Sequence, residues 1–102
     1  MDLSDNLKIL NLFDIYGNLL TDKQRECLTD YLINNLTLTE ISEIYGISRQ
    51  AVNFNIKESI KLLEGYENKL HLSFKIDKIE SALSDLGLTN SNISDIINLL
   101  KE

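Results

Sequence analysis

The stretch that decides the fold is residues 37–57, which read TLTEISEIYGISRQAVNFNIK. Thr37 and Glu40 form a T-x-x-E capping box, a pattern that begins helices. Gly46 ends the first short helix, because glycine adopts the positive φ of a helix terminus without steric cost. Ser48 then caps a second helix. A short helix, a tight turn and a capped second helix predict a helix-turn-helix.

Side chains inside this stretch have the spacing that two crossing helices need. Ile41 and Val52 each occupy the apolar position that staples a newly capped helix. Ser42 is small at the point where the helices cross, and we expect Ile44 to continue the inner face of the first helix. The motif therefore predicts how its two helices pack against each other as well as the turn between them.

The rest of the chain also predicts helices, since proline is absent and no segment shows sustained apolar–polar alternation. A first helix starts near Ser4, and a second follows the T-x-x-Q capping box at Thr21. The helix after the turn extends over residues 49–70, and two further helices are separated by Gly87. The predicted fold class is all-α, a helix-turn-helix core with C-terminal helices.

Apolar residues at helical spacing predict the buried faces of these helices. In the first helix they are Leu3, Leu7, Leu10, Phe13, Tyr16 and Leu20, widened by Ile9, Leu12, Ile15 and Leu19. In the long helix they are Val52, Ile56, Leu63 and Leu70, with Ile60 and Tyr66 beside them. In the last helix they are Ile93, Ile96, Ile97 and Leu100.

A heptad seam follows the long helix, with apolar residues spaced 4, 3, 4 and 3 apart: Leu72, Ile76, Ile79, Leu83 and Leu86. It covers about two heptads, fewer than a coiled coil needs. The seam either folds back on the long helix or pairs across a two-fold axis in a homodimer. We therefore divide the chain into a helix-turn-helix core domain over residues 1–71 and a C-terminal helical extension over residues 72–102. The extension packs on the core or forms a dimer contact.

Charge is distributed unevenly along the chain, whose formal net charge is −6. This total argues against a broad, non-specific nucleic-acid binder, since such proteins carry a basic surface. Residues 1–47 hold three basic and eight acidic side chains, and residues 64–102 hold four and seven. Residues 48–63 hold three basic side chains and one acidic. The positive segment is therefore the second helix of the helix-turn-helix.

On a helical wheel the outward side of that helix carries amide and basic side chains, which we predict to bind nucleic acid: Gln50, Asn53, Lys57 and Lys61. Arg49 lies in the first turn, where it is better placed to contact a phosphate than a base, and we include it among the predicted contacts. Gln and Asn form paired hydrogen bonds with adenine, and Lys and Arg reach phosphates or guanine. Phe54 also points outward, where it either stacks on an unpaired RNA base or packs on a neighbouring helix or subunit. The alternative interpretation of this face is an ordinary solvated helix surface.

Several other classes of protein are disfavoured. The single cysteine, Cys27, excludes an intramolecular disulfide, and we expect it to be a core residue rather than a nucleophile. His71, the one histidine, is expected at the surface, since no residues have metal-ligand spacing. We therefore expect no cofactor and no enzymatic activity. The chain also shows no signal-peptide pattern and no apolar run of membrane-spanning length, which favours a cytoplasmic protein.

Five segments have a combination of residues typical of one family: LFD at 12–14, LTDKQR at 20–25, SRQAV at 48–52, NIK at 55–57 and KLLEGYENKL at 61–70. Together they resemble the YlxM family (UPF0122), small bacterial helix-turn-helix proteins with a fold similar to region 4 of sigma factors. The family's genes typically sit beside the gene for the GTPase of the signal recognition particle. The resemblance therefore implies a regulatory role in that pathway, with Arg49, Gln50 and Lys57 as candidate nucleic-acid contacts. Two residues depart from the family pattern. Phe54 stands where family members often have a polar or acidic residue, and Glu58 stands where a basic residue is common.

Three functional hypotheses follow. The first is an accessory protein of the signal recognition particle that binds its RNA or its GTPase. The second is a DNA-binding transcriptional regulator that recognises a short site with Gln50, Asn53 and Lys57. The third is a protein-interaction module that keeps the helix-turn-helix only as architecture. The acidic remainder of the chain favours the first and third over the second.

Overall fold

The computed structural model describes residues 3–101, with side chains from residue 5 onward. Within these residues there are six α-helices and one short 3-10 helix, and no strand: α1 (Leu3–Tyr16), the 3-10 helix (Gly17–Leu19), α2 (Asp22–Leu32), α3 (Leu38–Tyr45), α4 (Arg49–Leu70), α5 (Leu72–Asp85) and α6 (Asn90–Lys101). The all-α prediction is confirmed, and α4 has the bounds that the sequence predicts.

The predicted caps and turn of the helix-turn-helix are confirmed. The Thr37 hydroxyl accepts a hydrogen bond from the Glu40 amide at 3.1 Å, and the Glu40 carboxylate accepts one from the Thr37 amide at 3.0 Å. The Ser48 hydroxyl accepts the Ala51 amide at 3.0 Å. Between the two helices Gly46 has a φ of 65°, a left-handed conformation that disfavours any residue with a Cβ. These contacts fix the angle at which α4 leaves α3.

Helices α1 to α4 pack around one hydrophobic core, with α4 in contact with each of the other three. The core residues are Leu12, Tyr16, Leu20, Cys27, Leu28, Ile41, Val52, Ile56 and Leu63. A polar contact also joins α3 to α2, because the Tyr45 hydroxyl donates to the Asp30 carboxylate at 2.8 Å. Burial, together with this hydrogen bond, raises the pKa of Tyr45 to about 12. The phenol therefore stays protonated and keeps its bond at neutral pH.

Six of the predicted inward side chains are exposed, and those predictions are wrong: Leu7, Leu19, Ile44, Leu70, Ile96 and Leu100. Leu19 lies in the 3-10 helix, which changes the phase of the 3.6-residue repeat. Leu7 borders a groove between α1 and the end of α2. Leu70 is the last residue of α4. A helical wheel gives the direction of a side chain but not whether a neighbour is present there. The side chain of Leu3 lies outside the described ones.

A buried tyrosine organises the junction between α4 and α5. The helices are separated by His71 alone, which has a φ of 54°. Tyr16 is 1% exposed, and its hydroxyl donates to the Glu67 carboxylate at 2.6 Å and accepts the Leu72 amide at 3.1 Å. The same carboxylate oxygen accepts the Ser73 amide at 3.0 Å. One residue of α1 thus fixes the end of α4 and the start of α5.

Helices α5 and α6 form a hairpin whose main contacts are with each other and with α1. Ile76 and Ile97 are its buried side chains. The Lys101 ammonium lies 2.8 Å from the Asp14 carboxylate and fixes the end of α6 to α1. The molecule measures 51 × 26 × 25 Å, with a radius of gyration of 15.8 Å. About 13 Å is usual for a chain of this length, so the hairpin extends the molecule beyond the core.

Candidate nucleic-acid interface

The inner face of α4 is held firmly by the core. Val52 and Leu63 are fully buried, and Ile56 is nearly so. These three residues lie on one side of the helix, which leaves the opposite side free of core contacts. The Ser48 cap sets the start of this helix, so the position of its first turns follows from the motif itself.

The structure brings three of the five predicted contact residues together. Arg49, Gln50 and Asn53 line a shallow groove with Leu38, the first residue of α3. Arg49 and Gln50 are exposed, and Asn53 is half-buried at the groove wall. Sequence reasoning missed Leu38, because its place in the groove depends on how α3 crosses α4. The groove therefore joins a guanidinium, two amides and one apolar side chain.

The two remaining predicted residues lie outside this groove. Lys57 and Lys61 are both exposed and follow Asn53 by about one and two turns of α4. Their ammonium groups therefore extend the polar face along the helix axis. This gives hydrogen-bonding side chains at the start of α4 and flexible cations farther along it.

The electrostatics of this face are weakly positive. The first turn of α4 holds no acidic side chain, and a helix N-terminus carries a partial positive charge. The acidic side chain within the segment, Glu58, is half-buried. On α3, the Glu40 carboxylate is occupied by its own capping box. The face can attract a few phosphates but cannot hold a long polyanion by charge alone.

Phe54 lies on the same outward side of α4 and is 64% exposed. Its predicted exposure is confirmed, so it does not pack on a neighbouring helix of this chain. An exposed ring beside amide and basic side chains offers a flat surface on which an unpaired base can stack.

The other chemically distinctive residues are structural. Cys27 is buried as predicted, and burial, followed by the nearby Asp30 carboxylate, raises the pKa of its thiol. His71 is exposed as predicted, although its left-handed backbone role was missed. Among residues 3–101, no three His, Cys, Asp or Glu side chains are grouped as metal ligands. The helices over that range are too short or too polar to cross a membrane.

The chain matches known proteins along nearly its whole length. Residues 3–102 match the family described as "UPF0122: Putative helix-turn-helix protein, YlxM / p13 like". A UPF0122 protein of Oceanobacillus iheyensis is 41% identical over 102 residues, covering 98% of this chain and 97% of the relative. A UPF0122 protein of Fusobacterium nucleatum is 42% identical, covering 98% and 100%.

A third relative gives the same result. UPF0122 protein YofM of Lactococcus lactis is 46% identical over 102 residues, covering 100% of this chain and 92% of the relative. The matched segments include the C-terminal hairpin as well as the helix-turn-helix. The chain belongs to the UPF0122 family of YlxM/p13-like helix-turn-helix proteins.

Proposed function

We propose that the protein is a regulatory or accessory factor of the signal recognition particle pathway that binds the particle's RNA through the outward face of α4. The observation that carries the proposal is the groove formed by Arg49, Gln50 and Asn53, with Lys57 and Lys61 beyond it. The link to the particle is supported by the resemblance to the YlxM family, whose genes typically neighbour the gene for the particle's GTPase.

An RNA with unpaired bases suits this face better than a DNA duplex. Phe54 is exposed beside the amide and basic side chains, and exposed aromatic rings stack on splayed-out bases in single-stranded RNA recognition. The weak positive charge of this face also favours RNA, because three phosphate contacts on a DNA duplex would give a salt slope of only about −2.7. A short loop or bulge needs fewer phosphate contacts than a long duplex.

A DNA-binding regulator is the second candidate, and the helix-turn-helix architecture favours it. In such motifs the first turns of the second helix enter the major groove. Gln50, Asn53 and Lys57 would then contact bases, with Arg49 on a phosphate. The net charge of −6 works against this candidate, since a monomer has little basic surface outside α4.

The two candidates are separated by equilibrium binding measured by fluorescence anisotropy. Labelled particle RNA and a duplex DNA of equal length are titrated with protein at several salt concentrations. We expect tighter binding to the RNA, with a log–log salt slope of about −2.1 per monomer for three phosphate contacts on unpaired RNA, against about −2.7 for three contacts on the duplex. Tighter binding to the duplex would support the second candidate instead. Binding of the purified particle GTPase alone, without salt dependence, would favour a protein-docking role.

The Lys57→Glu variant tests the face directly. Reversing one charge there should weaken RNA binding about tenfold near physiological salt. Lys69→Glu is the matched control, because Lys69 is an exposed lysine of the same helix that lies off the outward face. Equal affinities of wild-type and Lys57→Glu protein would overturn the proposed interface. The proposal implies a binding role without catalysis, carried out in the cytoplasm where the particle works.

A further inference from the structure

Two phenylalanines of the described chain are strongly exposed, and their surroundings differ. Phe74 on α5 is 58% exposed, and the Lys78 ammonium lies 4.7 Å from the centre of its ring. Phe54 on α4 is 64% exposed. Among residues 3–101, neither an ammonium group nor another aromatic ring is stacked on Phe54. The ring of Phe54 therefore has a free face, whereas a lysine of the same helix occupies the ring face of Phe74.

Phe54 lies in a row of exposed polar residues along α4. Gln50 stands four residues before it and Lys57 three residues after it. Residues at these spacings are neighbours on a helix surface, with Cβ atoms about 5–6 Å apart. Aromatic and other long side chains of a helix lean toward its N-terminus. The Phe54 ring therefore leans toward the Gln50 amide, and the Lys57 side chain leans toward the ring.

The two remaining helix neighbours of Phe54 determine on which side of the ring a ligand has room. Ala51, three residues before Phe54, has a small side chain, and Glu58, four residues after it, is half-buried. A carboxylate repels phosphate, so the Glu58 side disfavours a nucleic-acid backbone. The Lys57 ammonium takes part in no ion pair within residues 3–101. It is therefore available to a phosphate on the opposite side of the ring from Glu58.

We propose that Phe54 forms the centre of a subsite for one unpaired purine nucleotide. The phenyl ring stacks on the base, the Gln50 amide forms hydrogen bonds with the edge of the base, and the Lys57 ammonium contacts its phosphate. The subsite rests on the RNA binding proposed above and names the unit of RNA that this face selects.

Stacking is the reason for the preference for a purine. Every base can stack on an aromatic side chain, so the preference among bases follows from the strength of stacking. A purine has two fused rings and covers a phenyl ring more fully than a pyrimidine does. The Gln50 amide offers one acceptor and two donors, which suit the edge of any base. The amide therefore orients the base, and Phe54 selects it.

The base has to be unpaired because stacking needs a free base face. In a duplex the neighbouring base pairs cover both faces, and an inserted phenyl ring can reach only an edge, such as the thymine methyl group. A base splayed out of a loop or bulge presents its face to a side chain. Gln50 also lines the groove with Arg49 and Asn53, so the nucleotide next to the subsite can extend into that groove.

Fluorescence anisotropy with two labelled RNA probes tests the subsite. One probe is a short oligouridine, and the other is the same RNA with a single central adenosine. We expect wild-type protein to bind the adenosine probe severalfold more tightly. Phe54→Ala should weaken binding of that probe about tenfold and remove the difference between the two probes. Phe54→Tyr, which keeps an aromatic ring, should retain the difference.

Phe74→Ala is the matched control, because Phe74 is also an exposed phenylalanine but its ring carries Lys78. It should bind both probes as the wild type does. The salt slope separates stacking from charge: Phe54→Ala should leave the slope unchanged, since no phosphate contact is lost. Circular dichroism checks that each variant keeps its helices.

Proton NMR of the full chain gives a second measurement that reports stacking itself. The chain has three phenylalanines, so comparison with Phe54→Ala and Phe74→Ala assigns their ring signals. The ring current of a stacked purine should move the Phe54 signals upfield when the adenosine probe is added, while the Phe74 signals stay in place. Gln50→Ala should weaken binding about threefold and leave this shift present, because the ring remains.

The outcomes distinguish the subsite from the interface around it. Equal affinity of wild-type protein for the two probes, or a Phe54→Ala variant that binds like Phe74→Ala, would overturn the subsite. If Lys57→Glu still weakens RNA binding in that case, the proposed interface stands without it. A loss in Phe54→Ala confined to duplexes that contain thymine would overturn the subsite and assign the ring to a methyl contact in DNA. Wild-type protein that binds no RNA would overturn both the subsite and the proposed function.

Discussion

The first four helices and the last two are built from similar amphipathic sequences, yet they bury very different amounts of apolar surface. In α1 to α4, residues such as Leu28, Ile41 and Leu63 are 0% exposed. In α5 and α6 the buried side chains are Ile76 and Ile97, while most other large hydrophobic residues are exposed. A helix that contacts three others can bury a wide stripe, whereas a two-helix hairpin can bury only its shared seam.

The contacts that join the hairpin to the core differ in kind from the contacts inside the core. The core is held mainly by apolar contacts, whereas polar contacts from α1 and the end of α4 join the hairpin to it. The Leu72 and Ser73 amides donate to Tyr16 and Glu67, the Asn11 amide group donates to the Ser73 hydroxyl, and Lys101 pairs with Asp14. Local stability depends on buried apolar contacts, so we expect the hairpin to open at a lower free energy than the core.

The largest expected effect comes from a cavity in the core. Leu63→Ala removes a fully buried side chain where α4 crosses the other helices, and it should lower the free energy of unfolding by about 3 kcal/mol. Urea denaturation followed by circular dichroism at 222 nm measures this change. A loss below about 1 kcal/mol would mean that neighbouring side chains move into the space that Leu63 leaves.

Ile97→Ala is the comparison in the hairpin, since Ile97 is only 3% exposed. We expect faster amide hydrogen exchange in α5 and α6 and little change in the main unfolding transition. Equal losses for Leu63→Ala and Ile97→Ala in that transition would show one cooperative unit. The contrast between the two regions would then be one of surface and not of stability.

The core was more predictable than the hairpin for a physical reason. Caps at Thr37 and Ser48 and the turn at Gly46 are local features, with hydrogen bonds that span three residues, so the sequence determines them directly. The burial of Leu70 or Leu100 depends instead on whether another helix reaches that point. No local pattern contains this information, and both predictions were wrong.

The candidate interface also combines features that the local sequence predicts with features that depend on a neighbouring helix. The exposure of Gln50 and Lys57 could be predicted because they lie on the side of α4 away from the buried Val52. The contribution of Leu38 to the groove could not, since it depends on how α3 crosses α4. What this face binds stays a prediction, because weak charge and two amides suit more than one polymer.

The junction between the regions predicts a specific acid sensitivity. Burial alone would raise the pKa of Glu67, but hydrogen bonds from Tyr16 and from the amides of Ser73 and Phe74 outweigh it, and the pKa is lowered below its usual 4.5. The ionised carboxylate therefore stabilises the fold above about pH 4.5, and this contribution is lost as the pH falls through the folded-state value.

Glu67→Gln should remove this dependence and cost about 1.5 kcal/mol at pH 7, since a hydrogen bond to a charged group becomes one to a neutral group. Urea denaturation at pH 7 and at pH 3 measures both effects. Glu64→Gln, an exposed carboxylate on the same helix, is the control and should keep the acid dependence of the wild type. An unchanged pH profile in Glu67→Gln would show that the junction does not couple the hairpin to the core.

The smallest expected effect compares one helix cap from each region. Thr37→Ala removes a capping box in the core and should lower the free energy of unfolding by about 1 kcal/mol, with Thr37→Ser restoring most of it. Thr89→Ala removes the hydroxyl that accepts the Asn92 amide at 3.2 Å at the start of α6. The local cost should be similar, but it falls on a segment that opens before the core.

We therefore expect Thr89→Ala to speed hydrogen exchange in α6 while shifting the urea midpoint by less than about a third of the Thr37→Ala shift. Equal shifts would mean that α6 unfolds together with α1 to α4, and the division of the chain at residues 71 and 72 would then have no thermodynamic meaning.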